Sequence, residues 1–136
     1  MAGPGARIAM RWREQLVFEG GGPGRPSILV DGDAQTATSP VELLLLAAAA
    51  CSAADIVPVL EKMRVVLRSL EVEVEGTRRE EHPRRFTAMH FRFRAGGAGA
   101  EEAKLRRAVD LSLEKYCSVM ASLAPDTRVS YDVTIV

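Results

Sequence analysis

Apolar and polar residues alternate near the start of the chain. Ile8, Met10 and Trp12 are separated by Ala9, Arg11 and Arg13, and a period of two is the signature of a strand. Leu16 to Phe18 either continues that strand or pairs back on it. GGGPGRP, residues 20–26, is a turn by composition, and SILVDGD after it reads as a second short strand ending at Asp31-Gly32. The alternation returns with Leu70, Val72 and Val74 between Glu71, Glu73 and Glu75. Beyond the charged loop TRREEHPRR, Met89, Phe91 and Phe93 form one face of a further strand, and His90, Arg92 and Arg94 the other. Folded as a hairpin, the glutamate row faces the His/Arg row, which accounts for the charges without a ligand. Val129, Tyr131, Val133 and Ile135 close the chain with one more strand.

Between these segments the period changes. SPVELLLLAAAACSAADIVPVLEKMR, residues 39–64, opens with Ser39, Pro40 and Glu42. A serine N-cap, a proline at the first helical position and a glutamate three residues after the cap make a capping box. The helix that follows is apolar almost all round, so it is expected to be buried on most sides. Pro58 removes the hydrogen bond to the carbonyl of Ala54 and predicts a kink. GGAGA then breaks the chain at 96–100, and Glu101 and Glu102 favour a new helix start. Leu105, Ala108, Val109, Ser112 and Tyr116 follow at helical spacing toward Cys117, with a short helical restart over SVMASL. The order of elements predicts an α+β fold with a mostly antiparallel sheet, a buried central helix and a second long helix. Its length suits a single domain over 1–136. The central helix is too apolar for a monomer of this size, so a homodimer is expected to cover its second side.

Charge narrows the function. Eighteen basic residues balance eighteen acidic ones, which gives no drive toward nucleic acid or an anionic membrane. The unbroken apolar run from Leu43 to Cys51 falls well short of the roughly 20 residues that span a bilayer. No secretory signal is recognisable at the start, and a cytoplasmic location is expected. In that compartment two cysteines suggest redox or catalytic chemistry. Cys51 is either a core filler or a nucleophile. Its apolar surroundings, and Asp55 one turn further on, disfavour a thiolate. Cys117 either ends one helix or begins the next, and only the second position favours a thiolate. Lys115 is close to it in sequence. No CxxC is present, and His82 and His90 fall in a loop and on a strand face, so no metal or other cofactor is expected.

The central segment, the hairpin SLEVEVEGTRREEHPRRFT and RAVDLSLEKYCSV together resemble the OsmC/Ohr superfamily, closest to its YhfA-type branch. The likeness spans nearly the whole chain. It implies an intertwined homodimer that reduces organic hydroperoxides in the stress response. In that reading Cys51 is the peroxidatic thiol on the buried helix and Cys117 the thiol that condenses with it. A thiol reductant, in some members a lipoyl protein, resets the pair. Peroxidase members activate the first thiol with an arginine from the segment before the helix, oriented by a glutamate directly after the helix-start proline. Here that position is Val41, and Glu42 comes one residue later, nine residues from Cys51 and half a turn out of phase. Arg25 is the only arginine between the first strand and the helix, and it lies further upstream. Arg25, Glu42 and Lys115 are therefore the candidate supporting groups. The departures leave an alternative from a different class, a dimeric module that binds a small apolar ligand near Cys51 without peroxidase activity.

Overall fold

The computed structural model describes residues 2–136. In chain order the elements are β1 (Ala9–Glu14), β2 (Val17–Gly21), β3 (Ile28–Asp31), α1 (Pro40–Lys62), β4 (Val66–Arg78), β5 (Phe86–Ala98), α2 (Glu102–Leu111), a π turn (Ser112–Tyr116), α3 (Ser118–Ala121) and β6 (Arg128–Ile135). The α+β class is as the sequence predicts. Two compact units share the chain, one running to Leu44 and one from Leu45 to Val136, with the boundary inside the first turns of α1.

The first unit holds an antiparallel sheet in the order β1-β2-β3. Val17 and Phe18 pair back on β1, with Trp12 opposite Phe18, rather than continuing it. Gln15 takes a left-handed conformation at the reversal, with φ 48°. Beyond β3, the buried carboxylate of Asp31 organises the loop into α1. It accepts hydrogen bonds from the backbone N–H of Asp33 (2.8 Å), Gln35 (3.1 Å) and Thr36 (2.9 Å) and from the Thr36 hydroxyl (3.0 Å). These donors hold its carboxyl below the ordinary range, the Thr36 and Asp33 amides foremost. The predicted capping box is present. Ser39 N–H donates to Glu42 Oε1 at 2.9 Å, and Glu42 N–H donates to Ser39 Oγ at 3.2 Å.

The second unit holds a sheet in the order β4-β5-β6. In the β4–β5 hairpin the glutamate row faces the His/Arg row as predicted, with Glu71, Glu73 and Glu75 opposite Arg94, Arg92 and His90. Arg92 bridges Glu73 and Glu75, whereas His90 turns to β6, where it bonds Ser130 (2.7 Å) and Asp132 (3.0 Å). Strand β6 pairs with β5 in parallel, the one departure from an antiparallel arrangement. A parallel neighbour needs a crossover, and α2 with the turns after it supplies one. At the base of the hairpin, Gly97 sits at φ 145° beside a register shift. A Cβ there would collide with the Val66 carbonyl oxygen. The core of this unit is Met89, Phe91 and Phe93 from β5 with Leu105, Ala108 and Val109 from α2.

Helix α1 continues through Pro58 to Lys62. In the single chain only the stripe Ala48, Ser52, Ile56 and Leu60 is buried, and Leu46 is 56% exposed. By length and composition alone, its 23 residues are enough to cross a membrane. The four-residue spacing of the stripe is that of a helix packed along one face against a protein core.

Candidate active site

Cys51 and Cys117 both belong to the second unit, and local structure explains how each is presented. Cys51 precedes Ser52, a member of the buried α1 stripe, so it lies at the edge of that stripe and is half-buried. Cys117 depends on the π turn. Along α2 the buried positions are Leu105, Ala108, Val109 and then Ser112. An α-helix would next bury residue 116, as the sequence spacing predicts. Instead the Cys117 N–H bonds back to the Ser112 carbonyl at 2.8 Å, five residues earlier. The widened turn inserts one residue and moves the inward position forward by one. Tyr116 is consequently 52% exposed, and Cys117 is 4% exposed. The chain then leaves the turn, and Cys117 caps the short α3.

Burial is the main reason that the Cys117 thiol is pushed up from 9.0 to about 11. The N–H groups of Met120 and Val119 at the start of α3 pull the other way and do not prevail. The neighbouring Cys51 side chain adds to the upward shift. The Cys51 side chain thus lies beside the Cys117 thiol, and at neutral pH Cys117 carries its proton. Two buried serines pack into the same region. Ser52 Oγ donates to the Ala49 carbonyl at 3.1 Å. Ser112 Oγ donates to Asp55 Oδ2 at 2.8 Å, with the Ser52 carbonyl at 3.5 Å.

The supporting candidates are distributed unequally. Lys115 and Cys117 line one cleft of about 280 Å³, together with Leu113, Met120, Leu123 and Val129. The Lys115 ammonium lies over the Tyr116 ring, 5.3 Å from its centroid. Glu42 and Arg25 belong to the first unit. Glu42 is engaged in the capping box, which holds its carboxyl below the ordinary range. The Arg25 guanidinium folds back over Gly22 in its own turn. Among the described residues no three metal-ligating side chains cluster. Sequence reasoning did not single out Ser112, although a serine at a core position of an amphipathic helix was a visible anomaly.

Residues 31–132 match the family described as OsmC-like protein, and the chain belongs to that family. It is 40% identical over 128 residues to Protein YhfA of Escherichia coli K12, covering 93% of this chain and 96% of that protein. A solved structure of a protein from Aquifex aeolicus VF5 superposes with a TM-score of 0.84 at 29% identity, over 98% of each chain. The organic hydroperoxide resistance protein OhrB of Bacillus subtilis shares the fold, with a TM-score of 0.62 at 15% identity over 95% of this chain and 97% of that one.

Proposed function

We propose that this protein is a thiol-dependent peroxidase for organic hydroperoxides that works through Cys51 and Cys117. The carrying observation is that two cysteines from separate helical segments are neighbours, with Cys117 the more buried of the two. In the first step the Cys51 thiolate attacks the peroxide. The O–O bond breaks, Cys51 becomes a sulfenic acid, and the alkoxide takes a proton and leaves as the alcohol. In the second step the Cys117 sulfur attacks the Cys51 sulfur. A disulfide forms, and the displaced hydroxide leaves as water with the Cys117 proton. A dithiol reductant, of which a lipoyl protein is one chemical type, then opens the disulfide and takes up its own in exchange. Free thiols of this kind suit a reducing cytoplasm.

A homodimer belongs to the same reading. What supports it is apolar surface without cover in the single chain, at Met10 and Trp12 on β1 and at Leu46 on α1. Arg25, Glu42 and Lys115 are the candidates for activating Cys51, and alanine variants sort them, since loss of the activator slows only the first step.

The direct experiment supplies cumene hydroperoxide and a dithiol to the purified protein. Cys51→Ser is expected to lose peroxide consumption, and Cys117→Ser, with the dithiol left out, to complete one oxidation per chain and stop at the sulfenic acid. If Cys51→Ser consumes peroxide as fast as the parent, the assignment fails. The cleft beside Cys117 favours a second reading, a binding module for a small apolar ligand. Native mass spectrometry of gently isolated protein tests it, and an unchanged mass in the presence of fatty acids excludes it.

A further inference from the structure

We infer that Ser112 is a positioning residue that registers Cys117 against Cys51 through its hydrogen bond to Asp55. The inference rests on the thiol-pair reading above. Ser112 is bonded both to Cys117 and to the stretch of α1 that carries Cys51. Its carbonyl accepts the Cys117 N–H at 2.8 Å and thereby closes the π turn. Its hydroxyl donates at 2.8 Å to Asp55 Oδ2, one helical turn beyond Cys51 on α1. The Ser52 carbonyl, at 3.5 Å, is the weaker acceptor. Ser112 is fully buried, so its hydroxyl has no water to fall back on and its orientation is set by these partners.

The π turn needs such an anchor. A π turn is a rare excursion from α-helical bonding, and nothing in SLEKY favours it locally. If Ser112 were free to slide, the helix could continue in α register. Position 116 would then take the inward site, and Cys117 would rotate away from Cys51. The bond to Asp55 opposes this by fixing residue 112 to the helix that carries Cys51. Asp55 thereby acquires a role apart from its charge. It is the acceptor that holds the second thiol in place, and a neutral acceptor of the same shape should serve.

The test is the effective concentration of the Cys51–Cys117 pair, measured against a glutathione redox buffer. In that equilibrium the protein dithiol is oxidised to the disulfide while oxidised glutathione is reduced to two thiols. Ser112→Ala and Asp55→Ala are each expected to lower the effective concentration about tenfold, the upper scale of one hydrogen bond. Asp55→Asn, which keeps an acceptor oxygen, is expected to stay within about twofold of the parent. A purely structural role would lower the melting temperature and leave the effective concentration of the folded protein unchanged. An unchanged value in both alanine variants overturns the inference, as does an equal loss in Asp55→Asn. No hydroperoxide enters the measurement, so a protein inert toward peroxides still reports on Ser112. A parent pair that fails to close under oxidised glutathione overturns the positioning role itself.

Discussion

The two three-stranded sheets carry the same alternating pattern and reach opposite ends. In the β4-β5-β6 sheet, Met89, Phe91 and Phe93 are buried, and Phe93 is 0% exposed. In the β1-β2-β3 sheet, strand β1 is exposed along its whole length, and Trp12 is 66% exposed. Period two identifies which side of a strand is apolar. It does not say what will cover that side. Sheet β4-β5-β6 belongs to the same unit as α2, whose face of Leu105, Ala108 and Val109 is equally buried. The other sheet has no helix of that kind in its unit.

The comparison breaks most visibly at the two aromatic positions. Phe93→Ala leaves a cavity in a closed core and is expected to cost about 3–5 kcal/mol of unfolding free energy in urea melts. Loss of less than a third of that would mean that the second unit is packed more loosely than its burial suggests. Alkaline pH should reach the same unit through Cys117. Its thiol is raised from 9.0 to about 11 in the fold, so above pH 9 the unfolded chain releases a proton that the folded chain keeps. The contribution is complete below about pH 9 and declines toward 11, by roughly 2–3 kcal/mol at the upper end. Urea melts of the parent and of Cys117→Ala across that window check this, since only the parent should show the slope from this thiol.

Trp12 tests the uncovered sheet. On a lone chain, Trp12→Ala should alter stability by no more than about 0.5 kcal/mol. In the proposed homodimer the same residue becomes an interface anchor. Trp12→Glu is then expected to weaken association by about 2 kcal/mol or more, roughly 30-fold in the dissociation constant. Sedimentation equilibrium reads this directly. A parent that sediments as a single chain at high micromolar concentration removes the dimer from the proposal.

What could be read from the sequence follows the same division. Local rules succeeded where partners are close in the chain. That the row of Glu71, Glu73 and Glu75 faces the row of His90, Arg92 and Arg94 follows from alternation and one turn, and the Ser39–Glu42 box spans three residues. They failed where tertiary context decides. The spacing of α2 placed Tyr116 inward, and a single inserted residue in the π turn put Cys117 there instead. The parallel pairing of β6 was hidden because strand direction is not encoded in period. Asp31 read as a turn residue, but its side chain organises the loop as far as Thr36. The two cysteines were singled out through family resemblance, and their role belongs to the proposal above. The Ser112–Asp55 bond joins residues 57 apart, and no spacing rule links them.

The smallest effect concerns the first turn of α1, where Glu42 has two candidate roles that a conservative change separates. Ser39→Ala removes the cap and should cost about 1 kcal/mol. Glu42→Gln keeps an oxygen for the Ser39 N–H, so the helix start should survive with a smaller loss. It also removes a titrating group. The Glu42 carboxyl is held below its ordinary 4.5, first by the Ser39 amide and then by the Ser39 side chain. Its contribution to stability is present above the unfolded value and is lost as pH falls through the depressed folded one. The glutamine variant should therefore lose that part of the acid slope. If capping is the whole role, the peroxide rate of Glu42→Gln matches the parent at neutral pH. A rate that falls severalfold while the helix start is preserved would instead place Glu42 among the groups that activate Cys51.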